Sequence, residues 1–170
     1  MQFCCLRKNK LIFSILSVLI MCIIVAGCTS QKEVPVGTVV IEGDAVESKA
    51  FFTLEELKSM EKGLREADYF SINSYGTKKY FHFKGISLGY LLNEKVSLKD
   101  HASKVTFIAE DGYTVEYTPE DVLKEDYIDE QNPEAKYEMI LAWEEDGREY
   151  DPEIGNPFRL VVGQKEPGDV

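Results

Sequence analysis

Residues 104–121, KVTFIAEDGYTVEYTPED, constrain the fold of this chain more than any other stretch. Val105, Phe107 and Ala109 alternate with Lys104, Thr106 and Ile108, the period of two expected of a strand with a buried face. Asp111-Gly112 reads as a hairpin turn, because glycine accepts the positive φ that primed turns require. Tyr113, Val115 and Tyr117 then alternate with Thr114 and Glu116 on a return strand. Thr118-Pro119-Glu120-Asp121 carries the marks of a helix start: a hydroxyl N-cap, Pro at the first helical position and acids in the first turn.

The rest of the chain repeats this mixture of strands and short helices. A first strand is expected over residues 37–42 (GTVVIE), with a turn at Gly43-Asp44. Thr53 and Glu56 have the spacing of a capping box, which predicts a helix over 54–62 with Leu54, Leu57 and Met60 facing inward. Strands follow over 64–73 and 79–84, separated by a turn at 74–77. In the second of these, Phe81 and Phe83 share one face, and Tyr80, His82 and Lys84 the other. Ser87 is placed to cap a short helix over 88–93. YEMILAW, residues 137–143, is apolar enough to be a central strand buried on both faces, and FRLVV, 158–162, is a further strand after a Pro/Gly-rich loop. The expected class is α+β: a compact, mixed β-sheet domain with short helices.

The N-terminus is read separately. Arg7, Lys8 and Lys10 precede an almost unbroken apolar run over 11–26, which ends in Val25-Ala26-Gly27-Cys28. A basic segment, an apolar segment and small residues form a secretory signal. With the cysteine at its end it resembles a bacterial lipoprotein signal, in which that cysteine becomes the acylated N-terminus. The expected organisation is a signal peptide over 1–27, a tether over 28–36 and a folded module over 37–170. Lipid on Cys28 would hold the module at the extracytoplasmic face of a bacterial cell membrane. An uncleaved anchor is the competing reading, since the run approaches the length of a span. Cys4, Cys5 and Cys22 lie in the signal, so a mature chain keeps only Cys28. That excludes disulfides, zinc ribbons, thioredoxin-like motifs and cysteine nucleophiles. Removing 1–27 removes three basic residues and no acids, leaving 16 Lys and Arg against 30 Asp and Glu, a formal charge of −14. Such a surface repels nucleic acid.

The order of pieces carries a resemblance. GTVVIEG, FTLEELKSM, FKGISLGYLL, VTFIAEDGYTVEYTPEDVL, ILAWEEDG and GNPFRLVV follow one another as a set of landmarks. Together they resemble the molybdopterin-binding domain of the sulfite oxidase family in a small bacterial form. The most specific pieces are Phe83-Lys84-Gly85-Ile86-Ser87-Leu88 and Gly155-Asn156-Pro157-Phe158-Arg159-Leu160. The resemblance implies an oxidoreductase-type fold that holds a molybdenum dithiolene cofactor. A cysteine thiolate from the loop ahead of the glycine segment completes the metal's ligands, and basic and polar side chains hold the pterin and its phosphate. It also leads one to expect another strand after Gly168-Asp169-Val170, so the module is either a minimal version or lacks its last strand.

This sequence departs from that pattern where the metal ligand belongs. Ser71-Ile72-Asn73-Ser74-Tyr75-Gly76 contains no cysteine. A Ser74 alkoxide is a harder ligand than a thiolate and far harder to deprotonate. The first expectation is therefore a non-catalytic module, without cofactor, that binds a small ligand or a protein partner at the envelope. The alternative is a molybdopterin-dependent oxidoreductase with atypical metal ligation. A third reading, a structural envelope protein, predicts no ligand.

The resemblance implies a pocket where the loop 73–76, the strand 80–84 and the loop before Arg159 meet. Its candidate ligand-binding residues are Asn73, Ser74, His82, Lys84 and Arg159. For His82 a solvated or hydrogen-bonded surface histidine is the favoured reading over a ligand contact. Arg159, between Phe158 and Leu160, must find either a small anionic ligand or one of the chain's many acids. The acids around 144–151 match no calcium-loop spacing, and no P-loop, dinucleotide fingerprint or nucleophile elbow is present.

Overall fold

A computed structural model describes residues 35–72, 75–155 and 157–169, within a folded unit that spans Pro35–Val170. The signal and Cys28 lie outside the described residues, as do the site candidates Asn73 and Ser74. Among the described residues no helix is long and apolar enough to cross a membrane.

The chain begins with a short antiparallel pair, β1 (Val39–Ile41) and β2 (Ala50–Phe52). Thr53 then caps α1 (Leu54–Lys58): its hydroxyl accepts from the Glu56 N–H at 3.3 Å, and the Glu56 carboxylate accepts from the Thr53 N–H at 2.8 Å. The helix is shorter than its sequence predicts. The Ser59 hydroxyl donates to the Glu56 carbonyl at 2.6 Å, taking up an acceptor at the helix end, and the chain passes into a 3₁₀ turn at Glu61–Gly63.

The main sheet follows. β3 (Leu64–Ile72) and β4 (Lys78–Ser87) form a long hairpin, and β7 (Ile140–Glu145) pairs with the second half of β4. On its far edge β7 pairs with both β8 (Arg148–Glu149) and β9 (Arg159–Val161). Every named strand pair is antiparallel. The β4–β7 register shifts between Lys84 and Gly85. A Cβ at Gly85 would lie 2.3 Å from the Leu141 carbonyl oxygen, so the glycine is what lets the strands meet at this bulge.

Ser87 ends β4 and caps α2 (Leu88–Tyr90), accepting from the Tyr90 N–H at 3.1 Å, and the helix continues as a π-helical turn over Leu91–Lys95. The separate hairpin β5 (Val105–Ile108) and β6 (Thr114–Tyr117) turns through Gly112 at φ +85°, with Asp111 accepting from the Tyr113 N–H at 2.9 Å. Thr118 then caps α3 (Pro119–Val122), accepting from the Asp121 N–H.

The main sheet has a core on each face, as the apolar run over 137–143 predicts. Leu57, Ile86, Leu91, Met139 and Trp143 bury against one side. Tyr69, Phe83, Ile140, Ala142 and Val161 bury against the other. Full burial of side chains such as Leu57 and Ile86 contributes roughly 2 kcal/mol each.

Candidate functional site

Alternation along the β3–β4 hairpin decides which side chains meet. Ala67 pairs with Phe83 and Tyr69 with Phe81 on one face, while Glu66 pairs with Lys84 and Asp68 with His82 on the other. The aromatic face borders a cavity of about 380 Å³. Tyr69, Phe81 and Phe83 line it from the hairpin, Tyr117 from β6, and Arg159 and Gln164 from β9 and the segment after it. It reaches Ser71 and Ile72, where β3 runs into the segment 73–76. Of the pieces expected to form a pocket, β4 contributes its phenylalanines to this cavity and β9 contributes Arg159. His82 and Lys84 do not line it, because they stand on the opposite face of the same strand.

Arg159 is positioned by three contacts. Its Nη1 donates to Glu145 Oε2 at 2.9 Å. Its guanidinium carbon lies 5.4 Å from the Phe83 ring centre and 6.0 Å from that of Phe81, within cation–π range. The Tyr150 hydroxyl donates to the same Glu145 oxygen at 2.7 Å. Burial, and then that hydrogen bond to a carboxylate, push the Tyr150 hydroxyl up to about 12. Glu145 is thus an ion-pair partner for Arg159. Glu145 sits opposite Phe83 across the β4–β7 pair, a placement that no sequence motif signals in a chain so rich in acids.

The opposite face holds a charged cluster. His82 Nδ1 lies 2.7 Å from Asp68 Oδ1, and its Nε2 lies 3.2 Å from Glu66 Oε1. Lys84 Nζ lies 3.1 Å from the other Glu66 oxygen. The hydrogen bond to Asp68, and then that to Glu66, raise the imidazole above its ordinary value, while Glu66 is held below the usual carboxylate range chiefly by His82 and Lys84. The His82 backbone N–H donates to Asp146 Oδ1 at 3.0 Å, tying β4 to the turn between β7 and β8. Among the described residues no group of three or more His, Cys, Asp or Glu side chains is placed to hold a metal ion.

Sequence reasoning missed a buried carboxylate, Asp129, 1% exposed, which accepts from the Tyr80 hydroxyl at 2.8 Å and the Gln131 N–H at 2.7 Å. Donating to Asp129 is the first cause that pushes the Tyr80 hydroxyl up to about 12. A larger, more open depression of about 510 Å³ lies between Phe51, Met60 and Tyr90, away from β9.

The cofactor that the resemblance implies needs a soft anionic metal ligand and uncommitted cations for a phosphate. Here the cations near the cavity are already engaged. Arg159 holds Glu145, and Lys165 Nζ lies 2.8 Å from Asp121 Oδ1. Lys79, 4.0 Å from the Phe81 ring centre, lies 3.8 Å from Asp146. The sequence has no cysteine after Cys28. Among the described residues this donor set, with no thiolate and with its nearby cations paired, does not fit a molybdenum dithiolene bearing a phosphate.

Comparison with known families matches the oxidoreductase molybdopterin-binding domain over residues 33–167. No curated protein matches the chain. The match takes in the bulge at Gly85, the central strand β7 and the Gly/Pro loop that leads to Arg159. The chain belongs to the oxidoreductase molybdopterin-binding domain family.

Proposed function

We propose that this chain is a membrane-anchored, extracytoplasmic lipoprotein whose molybdopterin-family domain works as a non-catalytic module for a small ligand or an envelope partner. The observation that carries the non-catalytic reading is the segment 71–76, SINSYG, which offers no thiolate where the family resemblance places the metal ligand. The pairing of Arg159 with Glu145 supports it, since an anion at the cavity would have to share that guanidinium with a carboxylate. The anchoring reading is supported by the signal pattern that ends at Cys28. On this reading residues 1–27 are removed, 28–36 tether and 37–170 form the working module, with no role for nucleic acid.

Two measurements test it. Mass spectrometry of the protein from membranes of its native host should find residue 28 as a lipidated N-terminus, and Cys28→Ser should release the protein from the membrane fraction. A chain that keeps residues 1–27, or a Cys28→Ser variant that still fractionates with membranes, contradicts the lipid anchor. Metal analysis of the same preparation addresses the second reading, an oxidoreductase ligating molybdenum through Ser74, which family membership favours. Stoichiometric molybdenum with pterin would establish that reading and overturn the first.

A further inference from the structure

The outer face of the β1–β2 ribbon carries apolar side chains where alternation ordinarily leaves a polar face. Val39, Ile41, Ala50 and Phe52 turn inward and pack against the core. Val40 and Phe51 stand opposite each other across the pair, and both are exposed, Phe51 to 47%. Lys49 pairs with Glu42, and its Nζ lies 5.3 Å from the Phe51 ring centre. Val36, 74% exposed, lies on the chain just ahead of β1. The loop that carries the exposed Ile154 reaches the same end of the module: a Cβ at Gly37 would lie 3.2 Å from Pro157 Cγ. Apolar residues scattered singly over a surface need no explanation, but a facing pair at the point where the chain enters the fold is a patch in a particular place. That place is the end a lipid anchor would hold. Residues 28–34 alone separate Cys28 from Pro35, where the folded unit begins. Seven residues span at most about 25 Å when fully extended, so β1 could never leave the neighbourhood of the bilayer. A tether this short also gives the ribbon a high effective concentration of lipid surface, which populates a contact too weak to hold a free protein.

We propose that the module docks on the bilayer that anchors it, through Val40 and Phe51 on the outer face of the β1–β2 ribbon. This deepens the lipoprotein reading above and rests on the lipid at Cys28. The two side chains enter the interfacial layer, with Val36 beside them on the tether side, while Lys49 keeps its ammonium among the headgroups. The attraction is apolar and not electrostatic, because a strongly acidic chain gains nothing from anionic lipid. A lipid alone would leave the module free to tumble on its tether; the docked ribbon gives it one seat.

The test uses the lipidated protein, purified from its native host and reconstituted in phosphatidylcholine vesicles whose acyl chains are brominated close to the headgroup. Trp143 is the chain's single tryptophan and is buried, 2% exposed, so bromine should leave its emission unchanged. Phe51→Trp adds a reporter whose emission should fall roughly twofold on brominated lipid, compared with the same lipid without bromine. Adding Val40→Asp should restore that emission, since a charge at the facing position opposes entry into the interface. Mixing in phosphatidylglycerol should not deepen the quenching. Val40→Trp is a second reporter should Phe51→Trp fail to fold. Reporters that bromine does not quench would overturn the proposal, and their shielding from aqueous iodide would then assign the face to a protein partner or a second copy. Quenching that survives Val40→Asp in folded protein would overturn it as well. Mass spectrometry separates the two possible failures: no lipid on residue 28 defeats the anchoring reading beneath, whereas unquenched reporters on lipidated protein defeat this inference alone.

Discussion

The two basic side chains that stood out as site candidates, Arg159 and His82, each take their chemistry from the carboxylates beside them. Arg159 donates to Glu145 through Nη1 and keeps half of its side chain exposed. His82 lies between Asp68 and Glu66, and the charged form of its imidazole is favoured. That raised value makes a pH prediction. Protonated His82 stabilises the fold fully below the unfolded value of 6.5, and the contribution is lost as pH rises through the higher folded value. Glu66 acts in the opposite sense: its contribution is present above 4.5 and is lost as pH falls through its lowered folded value. The difference in Tm between wild type and His82→Gln should therefore be largest between those two pH values and shrink on the alkaline side. A difference that grows with pH would contradict the assignment. Because the cluster is exposed, the difference should also shrink in high salt.

At the scale of the elements, Gly85 and Thr53 carry the most local information. Gly85→Ala would drive a methyl group into the backbone of β7, with Ala142 Cα at 2.6 Å as well as the Leu141 oxygen. We expect a loss of about 2 to 3 kcal/mol in denaturant unfolding, and a loss under 0.5 kcal/mol would show that the strands part more easily than their packing implies. Thr53→Ala removes one half of the capping box and should cost about 1 kcal/mol, while Thr53→Ser should restore most of it. These caps, the Asp111-Gly112 turn and the apolar β7 were legible in the sequence because each is a local signal: a spacing, a dipeptide or an apolar run. β2 was not legible, since three residues, AFF, are too few to display a period. At the early end of α1 the Ser59 hydroxyl donates to the Glu56 carbonyl, a local bond that propensity does not register. The faces of β4 were readable from alternation, but which of them borders the cavity was not. That depends on β7 and β9, which lie far along the chain.

For the molecule as a whole, the family scaffold is present, and the sequence has no cysteine after Cys28. The scaffold is specified by dispersed apolar positions that bury on both faces of one sheet, so it was visible in the order of landmarks. The pairing of Arg159 with Glu145 is a tertiary contact, and composition could offer only an abundance of acids. We propose that this domain keeps the family's fold without its molybdenum chemistry. The most direct test is elemental analysis for molybdenum, with mass-spectrometric analysis for released pterin, on full-length protein purified from its native host. Neither molybdenum nor pterin is expected above background. Stoichiometric molybdenum with a released pterin, lost on Ser74→Ala, would contradict it.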